Sequence, residues 1–153
     1  MVNHSNWLTF IRSNTNKSKY LRIAIYINIR LFFLYFFIYK DVIDHKDILL
    51  ISFFNNSDIF WLMNVYFDAF HSALKYLKDT KVNIQNLLIM AGDFNIRDSL
   101  WDSFFPHHSS ISNNLIIIAD SFHLSLLSSI NQVPTRYTDN TNNTNSVIDL
   151  MFI

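Results

Sequence analysis

An α/β layered fold is predicted by three features of this sequence. Short apolar runs rich in β-branched and aromatic residues recur, each bounded by Asn, Asp or a charge. An amphipathic helical pattern separates two of these runs, and strand-like and helix-like segments alternate without an internal repeat. Half of the 153 residues are apolar, enough to bury one sizeable core, and the length predicts a single domain over residues 1–153.

The runs Leu21–Asn28, Phe32–Tyr39, Asp47–Phe54 and Ile59–Tyr66 read as four buried strands. Asp68 can then cap a helix in which Phe70, Ala73, Leu74 and Leu77 recur at i, i+3, i+4 and i+7, while Lys75, Lys78 and Asp79 face mostly outward. Asn86–Ala91 returns to a continuous apolar strand. Leu115, Ile118, Ala119 and Phe122 give a second helix within Ser112–His123. Leu124–Leu127, Thr135–Thr138 and Val147–Ile153 close the chain as strands, with Pro106 and Pro134 marking breaks.

Composition excludes several function classes. There is no Cys, which removes disulfides, thiolate zinc sites and cysteine nucleophiles. Gly92 is the only glycine, so the phosphate-binding loops and nucleophile elbows that need several glycines are absent, and no small-molecule cofactor is expected. All twelve acidic residues are Asp. Acid–base or metal chemistry therefore has to use Asp, Asn, His, Tyr or Lys. Heavy use of Asn, Ile, Lys, Phe and Tyr is what an AT-rich coding sequence produces, so the Asn clusters carry no design signal.

Charge is zero overall but unevenly spread. Residues 1–40 carry Arg12, Lys17, Lys19, Arg22, Arg30 and Lys40 and no acid, a pattern that suits either a phosphate backbone or a solvated edge. Met1–Tyr20 is polar and lacks the apolar core of a signal peptide, which points to an intracellular protein, nuclear or cytoplasmic. Leu31–Tyr39 is nine apolar residues long, well short of the roughly 20 that a spanning helix needs, so no membrane partner is expected. A membrane-associated protein built on Leu21–Tyr39 is the least favoured reading.

Two places can carry chemistry. The apolar strand runs directly into Gly92-Asp93-Phe94-Asn95, which sets a carboxylate and an amide two residues apart just past a strand end. Their oxygens are hard ligands suited to Mg²⁺, and an Asn amide can hold a water or a phosphate oxygen, although strand-then-Gly-Asp is also a common turn. The second place is Asp149, one carboxylate within Val147-Ile148-Asp149-Leu150-Met151-Phe152. Burying it unpaired would cost on the order of several kcal/mol, so a partner is expected, in a catalytic network or in a structural hydrogen bond.

Leu87-Leu-Ile-Met-Ala-Gly-Asp-Phe-Asn95, followed by Leu100-Trp101, resembles the strand-loop signature of the endonuclease/exonuclease/phosphatase superfamily. Pro134-Thr135-Arg136 and Ser146-Val-Ile-Asp149-Leu150 resemble its next two landmarks, in order and at the spacing of endonuclease domains of non-LTR retrotransposons. Asn64-Val65-Tyr66, ahead of a helix, resembles the family's Asn-x-Tyr element. The resemblance implies part of a four-layer α/β sandwich that hydrolyses a phosphodiester in DNA with Mg²⁺ or Mn²⁺, in a parent protein that also holds a reverse transcriptase. It also implies roles. Asp93 orients or deprotonates the attacking water, Asn95 holds water and phosphate, and both serve as metal ligands. Tyr66 hydrogen-bonds the phosphate, Asp149 buttresses the site, Thr135 contacts phosphate and Arg136 is its neighbour.

The sequence departs from the family in two ways. The family's metal-binding Glu on an early strand has no counterpart, because the chain has no Glu, and Asp44 or Asp47 near His45 would have to stand in for it. The family's final Asp-His pair is also missing, since His107, His108 and His123 read as loop and helix-surface residues. The expectation is a domain truncated at both ends and impaired in cleavage, the alternative being a non-catalytic remnant that binds nucleic acid through its basic first forty residues.

Overall fold

Alternating side chains sort the apolar residues of this chain onto the two faces of one sheet. A computed structural model describes residues 7–11, 23–28, 35–38, 42–55, 58–69, 71–80, 84–103, 105–127 and 149–153. In chain order the elements are β1 (Trp7–Ile11), β2 (Ala24–Asn28), β3 (Tyr35–Ile38), β4 (Ile48–Asn55), β5 (Asp58–Tyr66), α1 (Ser72–Thr80), β6 (Leu87–Asp93), α2 (Ser110–Ser121) and β7 (Asp149–Phe152).

The main sheet has the order β3-β4-β5-β6-β7, and β1 and β2 form a separate antiparallel ribbon. Every neighbouring pair of the main sheet is antiparallel except β5 and β6. Parallel neighbours need a crossover, and α1 lies within the connection between them. Its start is tied by Asp68, whose carboxylate accepts the Ser72 N–H and the Ser72 hydroxyl, both at 3.0 Å. Ala73, Leu74 and Leu77 are its buried side, as the helical spacing predicts. Phe70, the first member of that spacing, lies outside the described residues.

One face of the sheet supplies Ile48, Leu50, Met63, Val65, Met90, Leu150 and Phe152 to a core shared with α1 and α2. The other face supplies Leu49 and Ile51, which pack with Ile23, Ile25 and Ile27 beside β1. β4 is therefore buried on both sides, which is why its sequence is a continuous apolar run rather than an alternating one.

The expected elements recur with shifted ends, and β1 is an addition. Trp7–Ile11 lies in a stretch whose polar surroundings mask a strand signal. Ser125 and Leu127 hydrogen-bond to Ile153 and Met151, so the predicted Leu124–Leu127 run lines the far side of β7. The predicted strand Thr135–Thr138 lies outside the described residues. The closing strand also needs a correction. Leu150 and Phe152 are buried while Asp149 and Met151 are exposed, so β7 alternates instead of being buried throughout. Asp149 therefore faces solvent and avoids the cost of burial. No helix among the described residues is long and apolar enough to cross a membrane.

Candidate functional site

Strand register brings three of the expected residues to one level at one sheet edge. Tyr66 ends β5 and Asp93 ends β6, and the two are partners in the parallel ladder. Asp149 begins β7 and is the antiparallel partner of Asp93. Directly paired residues project to the same face, and neighbouring strands lie about 4.8 Å apart, so Tyr66, Asp93 and Asp149 form a row. Asp47 extends it, because its carbonyl accepts the Tyr66 N–H at 2.9 Å. The Asp47 side chain is buried, with the Lys46 ammonium 3.7 Å from Oδ2. Asp44, the other proposed stand-in for a Glu, is exposed, and its N–H donates to the Tyr76 hydroxyl.

Asn95 joins the row through the loop. Its backbone N–H donates to Asp93 Oδ1 at 3.0 Å, an Asx turn that fixes the carboxylate. Its side-chain Nδ2 donates to the Phe67 carbonyl at 2.7 Å, and Phe67 N–H donates to the Asp93 carbonyl at 2.8 Å. The loops after β5 and β6 are thereby stitched together. Asn95 sits at φ 49°, a left-handed conformation that Asn tolerates better than most residues. Phe94 points the other way, fully buried in edge-to-face contact with Phe67 and Phe152.

Gly92 is required by its surroundings. A Cβ at this position would lie 1.9 Å from the Val65 carbonyl oxygen and 2.9 Å from Asn64 Oδ1, and its φ is 150°. Asn64 also donates from Nδ2 to the Ala24 carbonyl at 2.9 Å, tying the ribbon to the main sheet beside the corner that presents Asp93.

A second polar cluster lies a few residues on, and sequence reasoning missed it. Asp98 is fully buried. Its Oδ1 accepts the Leu100 N–H at 2.9 Å and lies 2.9 Å from His108 Nδ1, and its Oδ2 accepts the Ser109 N–H at 2.8 Å. Burial by itself would raise the carboxyl pKa. Hydrogen bonds from His108, Ser112, Leu100 and Ser109 outweigh it and pull the pKa down to about 2. His108 is held above its ordinary value, first by the bond to Asp98 and then by Asn113 Oδ1, 2.7 Å from Nε2. The cluster seats the start of α2, where Ser109 caps the helix by accepting the Ser112 N–H at 3.1 Å. A ten-residue separation between Asp98 and His108 has no sequence signature, so neither residue stands out before folding.

Thr135 and Arg136, the expected phosphate contacts, lie outside the described residues, as do the six basic residues of the first forty. His108 is a loop residue, as expected, though one bound to a buried carboxylate, and His123 follows α2 at φ 60°. Among the described residues, no three His or Asp groups converge as a metal-ligand set. Mg²⁺ commonly takes one or two carboxylates and completes its shell with water and phosphate, so Asp93 with the neighbouring Asn95 amide oxygen is a fitting but incomplete donor set.

Residues 48–153 match the family described as endonuclease-reverse transcriptase. Among solved structures, the chain is similar to the endonuclease domain of TRAS1, a telomere-specific non-LTR retrotransposon, with a TM-score of 0.73 and 19% sequence identity. That likeness, which at such identity speaks for the fold, covers 96% of this chain and 66% of the other, just under two thirds of its length. No curated protein matches the sequence.

Proposed function

From the premise that the chain belongs to the endonuclease-reverse transcriptase family, we propose that it is a DNA endonuclease of the retrotransposon type. It would hydrolyse a phosphodiester at the row formed by Tyr66, Asp93 and Asp149. The observation that carries this reading is the register: residues far apart in sequence become neighbours at the edge where β5, β6 and β7 meet. Asp93, fixed by the Asn95 N–H, is placed to orient the attacking water and take its proton. Asn95 commits its Nδ2 to Phe67, which leaves its amide oxygen as the group that holds water or phosphate. Tyr66 donates its hydroxyl to a phosphate oxygen, and Asp149 supports the site from β7. Thr135 and Arg136 contact the phosphate. Mg²⁺ or Mn²⁺, held by Asp93 and Asn95, would supply neutralisation of the phosphate charge. The site of action is intracellular, with a reverse transcriptase in the parent protein.

These 153 residues alone are weak in cleavage. With no Glu in the sequence to supply the family's carboxylate ligand, the divalent cation is loosely held. Removing one preorganised electrostatic group typically lowers a rate by about 10²–10³. The test is nicking of supercoiled plasmid in Mg²⁺ and in Mn²⁺. The chain alone should stay near background. A version extended by an upstream Asn- and Glu-bearing segment and a downstream Asp-His strand should nick, and Asp93→Ala in that version should not. An inert extended version would overturn the nuclease reading in favour of a nucleic-acid-binding remnant, and robust nicking by the chain alone would overturn the impairment. In the latter case Asp47, beside Tyr66, is the first candidate for the missing ligand.

A further inference from the structure

The loop between β5 and α1 carries a histidine that the proposed chemistry leaves unused. His71 sits at φ 50°, a left-handed conformation uncommon outside glycine. Backbone hydrogen bonds hold it there on both sides: its N–H donates to the Asp68 carbonyl at 2.9 Å, and its carbonyl accepts the Lys75 N–H at 3.0 Å. Its ring meets Phe67 edge to face, with centroids 6.1 Å apart and planes at 76°. The imidazole is therefore fixed in place rather than free to swing.

Its two nitrogens differ. Nδ1 is buried and has no hydrogen-bond partner among the described residues. A buried polar atom without a partner costs stability, so a ring that served only to pack on Phe67 would be better made of carbon. A buried lone pair is less costly than a buried N–H, which puts the ring proton on Nε2. His71 is only partly buried, so the ring opens to solvent along its Nε2 edge. This donor stands beside the corner that presents Asp93. Phe67 N–H donates to the Asp93 carbonyl and its own carbonyl accepts Asn95 Nδ2, so His71 rests on the residue that stitches the two site loops together. Phe67 belongs to the core on the α1 side, whereas Asp93 projects with its ladder partner Tyr66 to the ribbon side. His71 thus lies across the strand ends from the row, and the phosphate it can meet is one beside the phosphate being cleaved.

We propose that His71 binds the substrate strand, its Nε2–H donating to an oxygen of a phosphate next to the scissile one and so fixing the register of the DNA on the site. The choice of DNA rests on the nuclease reading. The contact needs neither a metal nor a cut strand, so binding measured in EDTA lets the two fail separately.

The experiment is fluorescence anisotropy of a labelled DNA duplex titrated in EDTA with the full chain, with circular dichroism checking that each variant is folded. His71→Gly takes the left-handed φ without strain and removes the donor, and it should weaken binding about tenfold, the scale of one hydrogen bond to a charged acceptor. His71→Asn tolerates the same φ and keeps an N–H, so it should retain most of the affinity. A second measurement needs no substitution: in protein with ¹⁵N-labelled histidine, Nδ1 of His71 should carry no proton, and the Nε2 resonance should move when the duplex is added. His71→Gly binding like the parent, equal losses in the Gly and Asn variants, or an Nε2 resonance that stays still would each overturn the proposal while leaving the nuclease reading to the nicking assay. A parent chain that binds no duplex would overturn it as well.

Discussion

Asp93 ends β6 and Asp98 lies five residues further on, yet their surroundings are opposite. Asp98 is buried and saturated, taking two backbone N–H groups and the His108 ring, with Ser112 beside it. Asp93 is only partly buried, accepts the Asn95 N–H and stands in register with a second carboxylate, Asp149. A carboxylate ringed by donors is held for the fold. Asp98 therefore serves the fold, and the proposed function gives Asp93 to the chemistry.

The largest expected effect lies on the strand that ends in Asp93. Gly92→Ala puts a methyl group 1.9 Å from the Val65 carbonyl oxygen, so β5 and β6 must separate. A loss on the order of 4 kcal/mol is expected in urea unfolding, enough to leave a small domain largely unfolded. A variant that melts like the parent would show that the corner is looser than drawn, and the Asp93 row with it.

Next comes Asp93→Ala. In the extended enzyme it should lower the nicking rate by about 10²–10³ while moving thermal stability little. Asp98→Ala should do the reverse, costing about 2–3 kcal/mol because buried donors lose their acceptor, with nicking by the remaining folded protein near that of the parent. If Asp98→Ala abolished activity in a protein still folded by circular dichroism, the division between the two carboxylates would be broken.

The smallest effect is in the pH profile. The Asp98 pKa is lowered, so its contribution to stability is present above its ordinary value of 3.8 and is lost as pH falls through about 2. The His108 pKa is raised, so its contribution is complete below its ordinary 6.5 and declines as pH rises through the elevated value. Chemical denaturation from pH 5 to 9 should show a shallow fall in the parent that His108→Gln removes. An unchanged slope in that variant would place the titration elsewhere.

The sequence by itself determined the alternation of strands and helices, the helix behind Asp68 and the strand that ends in Asp93-Phe94-Asn95. These are local properties: hydrophobic period, capping and turn chemistry act within a few residues, and Gly-Asp-Phe-Asn is contiguous. It also carried Tyr66 and Asp149 as candidates, through resemblance to a family rather than through any local rule. Only the tertiary structure decided what depends on pairing across the sheet. It set Tyr66, Asp93 and Asp149 in one row, turned Asp149 to solvent, and separated β1 and β2 into a ribbon over β4. It also placed His108 against Asp98 at the start of α2, a contact between loops. The physical reason is that register and loop closure depend on which distant strand supplies the partner, and no short window of residues contains that information.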